Sequence, residues 1–337
     1  MSTLKKQRGF AIVELIVGLI VIAAISFVGY TVYKKVTNKK GQETSTNQTA
    51  QTDNNESELK FDSDPVSSDP IGDKMGPFYH DIYLTTGQDG LTFNGKGKKL
   101  IEHASVPDII RLKDGRLAIY AVDAAKRSKS GLLVGISKNG GETWQFGSVR
   151  FNATQNKPVT GADPEVVLTE DGKIRLYLLV HGGGPAQNGM PASGVKNKVQ
   201  SALSTDGINF TPEDGVRVEY AEITDPDVIK IGDIWYAYIS QGPKNIAFTS
   251  ADGLTFNEAK TIRGSGSVSN TVDIGDNQFR QYYCGGSAIK SAVTTDGLNF
   301  TDDSGNRLEP DSGEYICDPA PVKVDSTWLM VYKVGHN

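Results

Sequence analysis

The stretch DPEVVLTEDGKIRLYLLV, residues 163–180, contains the unit from which most of this chain is built. It begins with Asp-Pro, runs through a short apolar strand to a turn containing Asp and Gly, and returns as an aliphatic strand. Such a pattern is typical of a β-hairpin, because Asp and Gly favour tight turns between β-forming segments. Related units begin at Val106, Asp225, Val268 and Asp318.

A second short unit separates these hairpins. It reads STDGINF at residues 204–210 and recurs, with variations, at four other places. Each copy follows a β-rich stretch, so we interpret it as the turn of another hairpin. An Asp or Asn in such a turn can accept hydrogen bonds from its own backbone. We therefore expect a structural role for Asp89, Asn139, Asp206, Asp252 and Asp296.

Two hairpins give four strands per repeat, which is the unit of a β-propeller blade. The domain begins with the second hairpin, at residues 81–93, and ends with the first, at residues 318–334. Joining these two ends completes a fifth blade and leaves no exposed edge strand. The sequence therefore predicts an all-β, five-bladed β-propeller closed by N- and C-terminal strands and preceded by one transmembrane α-helix.

The predicted helix comes from residues 10–32, FAIVELIVGLIVIAAISFVGYTV, a run long enough to cross a bilayer. The motif KKQRGFAIVEL, residues 5–15, resembles the leader of type IV prepilins. The resemblance implies that a prepilin peptidase cuts between Gly9 and Phe10 and methylates Phe10. It also implies that Glu14, an acid that would be costly in a membrane without a function, neutralises the N-terminal amine of a neighbouring pilin or pseudopilin subunit.

The prepilin resemblance stops near residue 36, because the segment that follows is polar and unable to bury a core. The predicted organisation is a leader (1–9), a transmembrane helix (10–36), a flexible linker (37–75) and the propeller (76–337). We expect a single-pass protein of the cytoplasmic membrane, or a pilus-associated one, with the propeller outside the cytoplasm. An ordinary signal anchor is the alternative.

Composition excludes a nucleic-acid partner, because the net charge is -5 and no basic cluster follows the N-terminal region. Cys284 and Cys317 are too few for a disulfide framework or a zinc site. The sequence leaves open whether they form one disulfide or remain two buried thiols. We predict no cofactor and no metal-ligating residues, although a structural calcium ion stays open.

The repeated DPxV pattern resembles the five-bladed glycoside hydrolases of family 43, and the SxDGxxF turns resemble the Asp boxes of sialidase-like propellers. The resemblance spans residues 78–336. It implies three acids on the first strands of successive blades: an Asp base, an Asp that tunes pKa, and a Glu acid. Asp163 matches the second, but Val106 stands at the base position and Asp225 stands in the blade of the acid. The pattern is incomplete.

If the first strand of each blade is innermost, its start lies at one mouth of the central channel, where we expect a ligand. Asp163, Asp225 and Asp318 then converge and are the candidate catalytic acids, with Glu222 as a further one. The candidate substrate-binding residues are His103, Asp108, Asp123, His181, Gln241, Glu314 and Tyr315.

Two functions fit this mouth. One is a tethered propeller that binds or hydrolyses carbohydrate, with the acids serving in acid/base chemistry. The other is a non-catalytic adhesin or minor-pilin-like module that binds a glycan or a protein with the same face. A purely structural pseudopilin is a third possibility, since an Asp before Pro can also accept neighbouring backbone amides. The sequence leaves the enzyme question open.

Overall fold

The computed structural model describes residues 59–152, 161–183 and 194–336. The predicted leader, the predicted transmembrane helix and most of the predicted linker lie outside these residues. No helix within the described ranges is long and apolar enough to span a membrane.

The first regular element among the described residues is a 3-10 turn, Pro77–Tyr79, and β-strands follow it. The first two strands are β1 (His80–Gly87) and β2 (Lys98–Glu102). Blade 1 follows with β3 (Ala104–Arg111), β4 (Leu117–Asp123), β5 (Leu132–Ser137) and β6 (Gln145–Ser148). Blade 2 contains β7 (Arg150–Phe151), β8 (Ala162–Leu168), β9 (Ile174–Val180), β10 (Lys196–Ser204), β11 (Asn209–Pro212) and β12 (Val218–Ala221).

Blade 3 contains β13 (Ile223–Ile231), β14 (Ile234–Gln241), β15 (Lys244–Ser250) and β16 (Asn257–Arg263). Blade 4 contains β17 (Ser267–Gly275), β18 (Gln278–Gly285), β19 (Ala288–Thr294) and β20 (Thr301–Asp302). The chain ends with β21 (Glu314–Val324) and β22 (Thr327–His336).

The fifth blade closes the ring as predicted. Its strand order is β2-β1-β22-β21, so the first strands of the domain pair with the last. The β1–β22 ladder is antiparallel, with Tyr83 opposite Tyr332. The prediction of a five-bladed propeller closed by both chain ends is confirmed.

The first strand of each blade is innermost, as the candidate site requires: β3, β8, β13, β17 and β21 contact one another in a ring. Each begins with a β-bulge, where its register against the second strand shifts. In every case one residue at the bulge has a left-handed backbone, with φ between 46° and 55°: Val106, Asp163, Asp225, Val268 and Asp318. Such a conformation costs about 1–3 kcal/mol per non-glycine residue, so the surrounding structure must impose it.

The short Asp-containing turns hold neighbouring blades together. In blade 2, Asp206 Oδ1 accepts hydrogen bonds from the backbone N–H groups of Ile208 and Asn209, both at 2.8 Å. The turn carbonyl of Gly207 then accepts the hydroxyl of Tyr120 from blade 1 at 2.8 Å. The same link recurs between blades 2 and 3, 3 and 4, and 4 and 5, through Tyr177–Gly253, Tyr238–Gly297 and Tyr282–Gly90. These contacts explain why the unit repeats.

Two further features attach segments to the ring. Cys284 of β18 and Cys317 of β21 form a disulfide, with Cα atoms 5.3 Å apart, which joins blades 4 and 5. Near the end of the predicted linker, the carbonyl of Lys60 accepts the backbone N–H of Ser148 at 3.0 Å. The guanidinium carbon of Arg127 lies over the ring of Phe61, 5.2 Å from the ring centroid. The chain therefore contacts blade 1 before the predicted propeller boundary.

Candidate active site at the channel mouth

Carboxylic acids line the channel at two successive levels. The outer carboxyl ring consists of Asp163, Asp225 and Asp318, at the bulges. The inner carboxyl ring consists of the acids two residues further along their strands: Asp108, Glu165 and Asp227. The space between the two levels is about 20 Å³, room for about one water. Asp108 and Glu165 of the inner ring also line a separate, larger cavity of about 400 Å³.

The outer ring has few hydrogen-bond donors. Asp163 Oδ2 accepts the backbone N–H of Asp225 at 3.2 Å. Asp318 Oδ2 lies 2.7 Å from Nζ of Lys333, and both side chains are largely buried, at 4% and 15% exposure. The two groups therefore form a largely buried ion pair.

The environments of the three outer acids differ. Burial, together with the charges of Asp163 and Asp318, raises the pKa of Asp225 well above its usual range. Burial also raises the pKa of Asp163, although the N–H of Asp225 and the nearby His181 oppose the shift. Asp318 faces the ammonium of Lys333. The ring thus combines an acid whose charged form is disfavoured with one held beside a cation.

Polar residues from blades 5 and 1 extend this mouth. His80 lies 2.6 Å from the hydroxyl of Tyr315 through Nε2 and 2.9 Å from Oγ of Ser105 through Nδ1. Burial and the charge of Lys333 lower the pKa of His80 to about 3, so its imidazole is neutral at pH 7. Sequence reasoning missed His80 and Lys333. The available signal for Lys333 was a single cation inside the apolar strand WLMVYKVG.

The inner ring, by contrast, is saturated with donors. Asp108 Oδ2 accepts the N–H of Val166 at 2.7 Å, and Glu165 Oε1 accepts that of Val228 at 2.9 Å. Asp227 accepts the N–H and the hydroxyl of Thr271, at 2.9 and 2.7 Å. Each of these acids therefore links the inner strand of its own blade to that of the next.

An amide completes the inner ring across the channel. Asn270 Nδ2 donates to Asp108 at 3.0 Å and to Glu165 at 3.3 Å. Burial raises the pKa of Asp108 to about 7 and that of Asp227 to about 6. Burial and the charges of Asp108 and Asp227 raise the pKa of Glu165 well above its usual range. The inner ring therefore disfavours full ionisation of Asp108 and Glu165 together.

Several predicted binding residues are engaged elsewhere. Asp108 lies in the inner ring and is 3% exposed. Asp123 binds Arg127 at 2.8 Å and accepts the N–H of Ser128 at 2.7 Å, so it fixes its own loop. His103 stacks on Phe78 with ring centroids 4.0 Å apart. Asp108 nevertheless lines the same small cavity as the outer ring, whereas Asp123 and His103 make their contacts elsewhere.

Of the remaining candidates, two interact with groups at the mouth and three make other contacts. Tyr315 contacts His80, and His181 lies close enough to Asp163 to affect its charge. Glu314 forms an ion pair with Lys96 at 2.6 Å. Two others bind backbone: Gln241 donates to the carbonyl of Ala221 at 3.0 Å, and Glu222 accepts the N–H of Gly194 at 2.6 Å.

One cluster has the composition of a metal site but not its chemistry. Cys284, Cys317 and Asp318 place their ligand atoms within 4.8 Å of one another. The two sulfurs are joined in the disulfide, so they are not thiolates and do not offer the ligands that a metal needs. The structure shows no cofactor, and the possibility of a structural calcium ion is not supported by this cluster.

Known structures resemble the propeller at the level of fold. No protein-family model and no curated protein matches the chain. A thermostable family-43 glycoside hydrolase is 15% identical, with a TM-score of 0.53, over 68% of this chain and 83% of its own. The family-43 protein BlXynB from Bacillus licheniformis is 14% identical, with a TM-score of 0.52, over 69% of this chain. This chain spans about half, 49%, of BlXynB. At such identities the likeness establishes the propeller fold alone.

Proposed function

We propose that this chain is a surface-tethered propeller that binds carbohydrate at the channel mouth and hydrolyses glycosidic bonds there. The observation that carries the proposal is the outer carboxyl ring, in which burial and the neighbouring acids raise the pKa of Asp225 well above its usual range while Asp318 forms an ion pair with Lys333. Glycoside hydrolysis needs one protonated and one ionised carboxyl at the same bond. The fold is also that of solved glycoside hydrolases.

Each outer acid has a distinct role in this proposal. Asp225 is the general acid that protonates the leaving oxygen, and Asp318 is the ionised carboxylate that activates water or attacks the sugar. Asp163 binds the backbone of Asp225 and adjusts its charge. The acids expected from family 43 are thus redistributed, with blade 5 supplying the carboxylate that Val106 in blade 1 cannot supply.

Val106 also favours a second function. An apolar side chain occupies the position where the family-43 resemblance places the base, as in a propeller that binds a glycan without cleaving it. The alternative is therefore a non-catalytic adhesin or minor-pilin-like module that uses the same mouth.

A panel of 4-nitrophenyl glycosides and unsubstituted oligosaccharides separates these functions. We expect turnover by the wild type and loss of at least 100-fold in Asp318→Asn. Asp225→Asn should lose more activity on oligosaccharides than on 4-nitrophenyl glycosides, because nitrophenolate leaves without a general acid. Asp252→Asn, in a blade 3 turn, is the matched control and should keep full activity. Saturable glycan binding without turnover would instead support the adhesin.

The tether is part of the same proposal. It is supported by the motif at residues 5–15 and by the apolar run at 10–32. We propose processing by a prepilin peptidase, a location in the cytoplasmic membrane or a pilus, and contact of Glu14 with pilin or pseudopilin subunits. Mass spectrometry of the mature N-terminus tests this. An N-methylated Phe10 supports it, and an intact leader that is unaffected by deleting the peptidase contradicts it.

A further inference from the structure

The mouth contains a buried cation that neither the repeat pattern nor the family resemblance assigns. Lys333 lies on β22, opposite Cys317 in the β21–β22 ladder. Its ammonium is 2.7 Å from Oδ2 of Asp318. Burial alone would lower the pKa of Lys333, but the charge of Asp318 outweighs this effect and the pKa is raised.

The backbone around Asp318 is held in place by the neighbouring disulfide. The disulfide holds the preceding residue, Cys317, against blade 4. The backbone N–H of Asp318 lies 3.2 Å from Sγ of Cys284. The disulfide therefore restrains the main chain that carries the Asp318 carboxylate.

Lys333 also influences the other groups around the mouth. Its charge favours the ionised form of Asp225 and of Asp163, and disfavours protonation of His80. Among these groups, Asp318 is the one in direct contact with the ammonium. Contact makes the preference for a negative charge strongest at Asp318, and the mutual repulsion of the acids then disfavours a second charge nearby.

We propose that Lys333 is a positioning residue that holds Asp318 as the anionic member of the outer carboxyl ring. The proposal rests on the proposed function of this ring, because it assigns which acid is the base. It also makes a statement about charge that needs no substrate to test.

The test follows the carboxyl carbon of Asp318 by NMR in the full chain in detergent, labelled with ¹³C-aspartate. In Lys333→Met, Asp318 should take up its proton at a pH about one to three units higher than in the wild type. Lys333→Arg should restore the wild-type titration. Lys230→Met, which removes a lysine from an ion pair with Glu170, should leave it unchanged. Identical titration of Asp318 in Lys333→Met and wild type would overturn the proposal.

A reciprocal measurement covers the case in which Lys333→Met does not fold. In Asp318→Asn, the side-chain ¹⁵N signal of Lys333 should show that the ammonium loses its proton at a lower pH than in the wild type. An unchanged signal would overturn the proposal. Both measurements are independent of turnover, so inactivity on every glycoside would contradict the proposed function without affecting this result.

Discussion

The outer and inner carboxyl rings lie two residues apart on the same strands, yet their oxygens meet different partners. Asp227, in the inner ring, accepts hydrogen bonds from the backbone and three side chains, whereas Asp163 accepts the backbone amide of Asp225. The inner ring joins successive blades, so its acids are accounted for by structure. The outer ring is strained, short of donors and next to the mouth, which is the pattern expected of a functional site.

The largest effect should come from Asp227→Asn. The substitution replaces a carboxylate oxygen with an NH2 group. That group cannot accept the hydrogen bonds that two hydroxyls and a side-chain amide now donate to Asp227. We expect a loss of about 4 kcal/mol in the free energy of unfolding, measured by urea denaturation. The matched outer variant, Asp225→Asn, should lose less than about 1 kcal/mol, because burial and the neighbouring acids raise the pKa of Asp225 and already disfavour its charged form. Equal losses would remove the distinction between the rings.

Removing the disulfide should affect the outer ring through its backbone. Cys284→Ser with Cys317→Ser opens a link between residues 33 apart in sequence and should destabilise the protein by about 3 kcal/mol. Urea denaturation with and without a reducing agent measures this. The reductant should destabilise the wild type and leave the double variant unchanged. An unaffected wild type would show that the bridge adds nothing to stability.

Two neighbouring inner acids should respond differently. The two oxygens of Asp108 each accept a backbone N–H, so Asp108→Asn loses one of these acceptors and should destabilise by about 2 kcal/mol. The charged form of Glu165 is already disfavoured, so Glu165→Gln should change stability by less than about 1 kcal/mol at pH 5.

The pH dependence of the stability of Glu165→Gln tests the contrast between these two acids further. The pKa of Glu165 is raised on folding, so its contribution is present below the unfolded pKa and is lost as the pH rises through the folded one. The variant lacks this loss. Its urea midpoint relative to the wild type should therefore be higher at pH 8 than at pH 5, and a difference that does not change with pH would contradict the raised pKa of Glu165.

The smallest effect is expected outside both rings. Asp252→Asn should change the free energy of unfolding by less than about 0.5 kcal/mol, because Asn139 already occupies the equivalent turn in blade 1. Differential scanning calorimetry can check this. A large loss would mean that the turns depend on charge and not only on hydrogen-bond geometry.

The sequence was sufficient for the blade count and the closure, because the hairpin unit at Asp163 and the turn unit at Asp206 repeat visibly. It also located Asp163, Asp225 and Asp318 at one mouth. It did not separate the two rings: Asp108 was expected to bind ligand, whereas the bulge beside Val106 places it one level deeper. A bulge depends on the pairing of two strands and has no signature of its own in one strand.

Contacts between segments that are distant in the sequence could not be predicted either. Lys333 reaches Asp318 because β22 pairs with β21 with a bulge between Cys317 and Ala320. The sequence left the state of the two cysteines open, and the structure pairs them through the packing of blade 4 against blade 5. Such partners follow from the closed ring and not from a local pattern.

The most direct test of the central claim compares Asp225→Asn with Asp227→Asn for both folding and glycan turnover. The account predicts that Asp225→Asn unfolds at nearly the wild-type urea concentration but no longer cleaves unsubstituted oligosaccharides. It predicts that Asp227→Asn unfolds much more easily and, at low urea and low temperature, still turns over in its folded fraction. Full oligosaccharide turnover by Asp225→Asn would contradict the assignment of function to the outer ring.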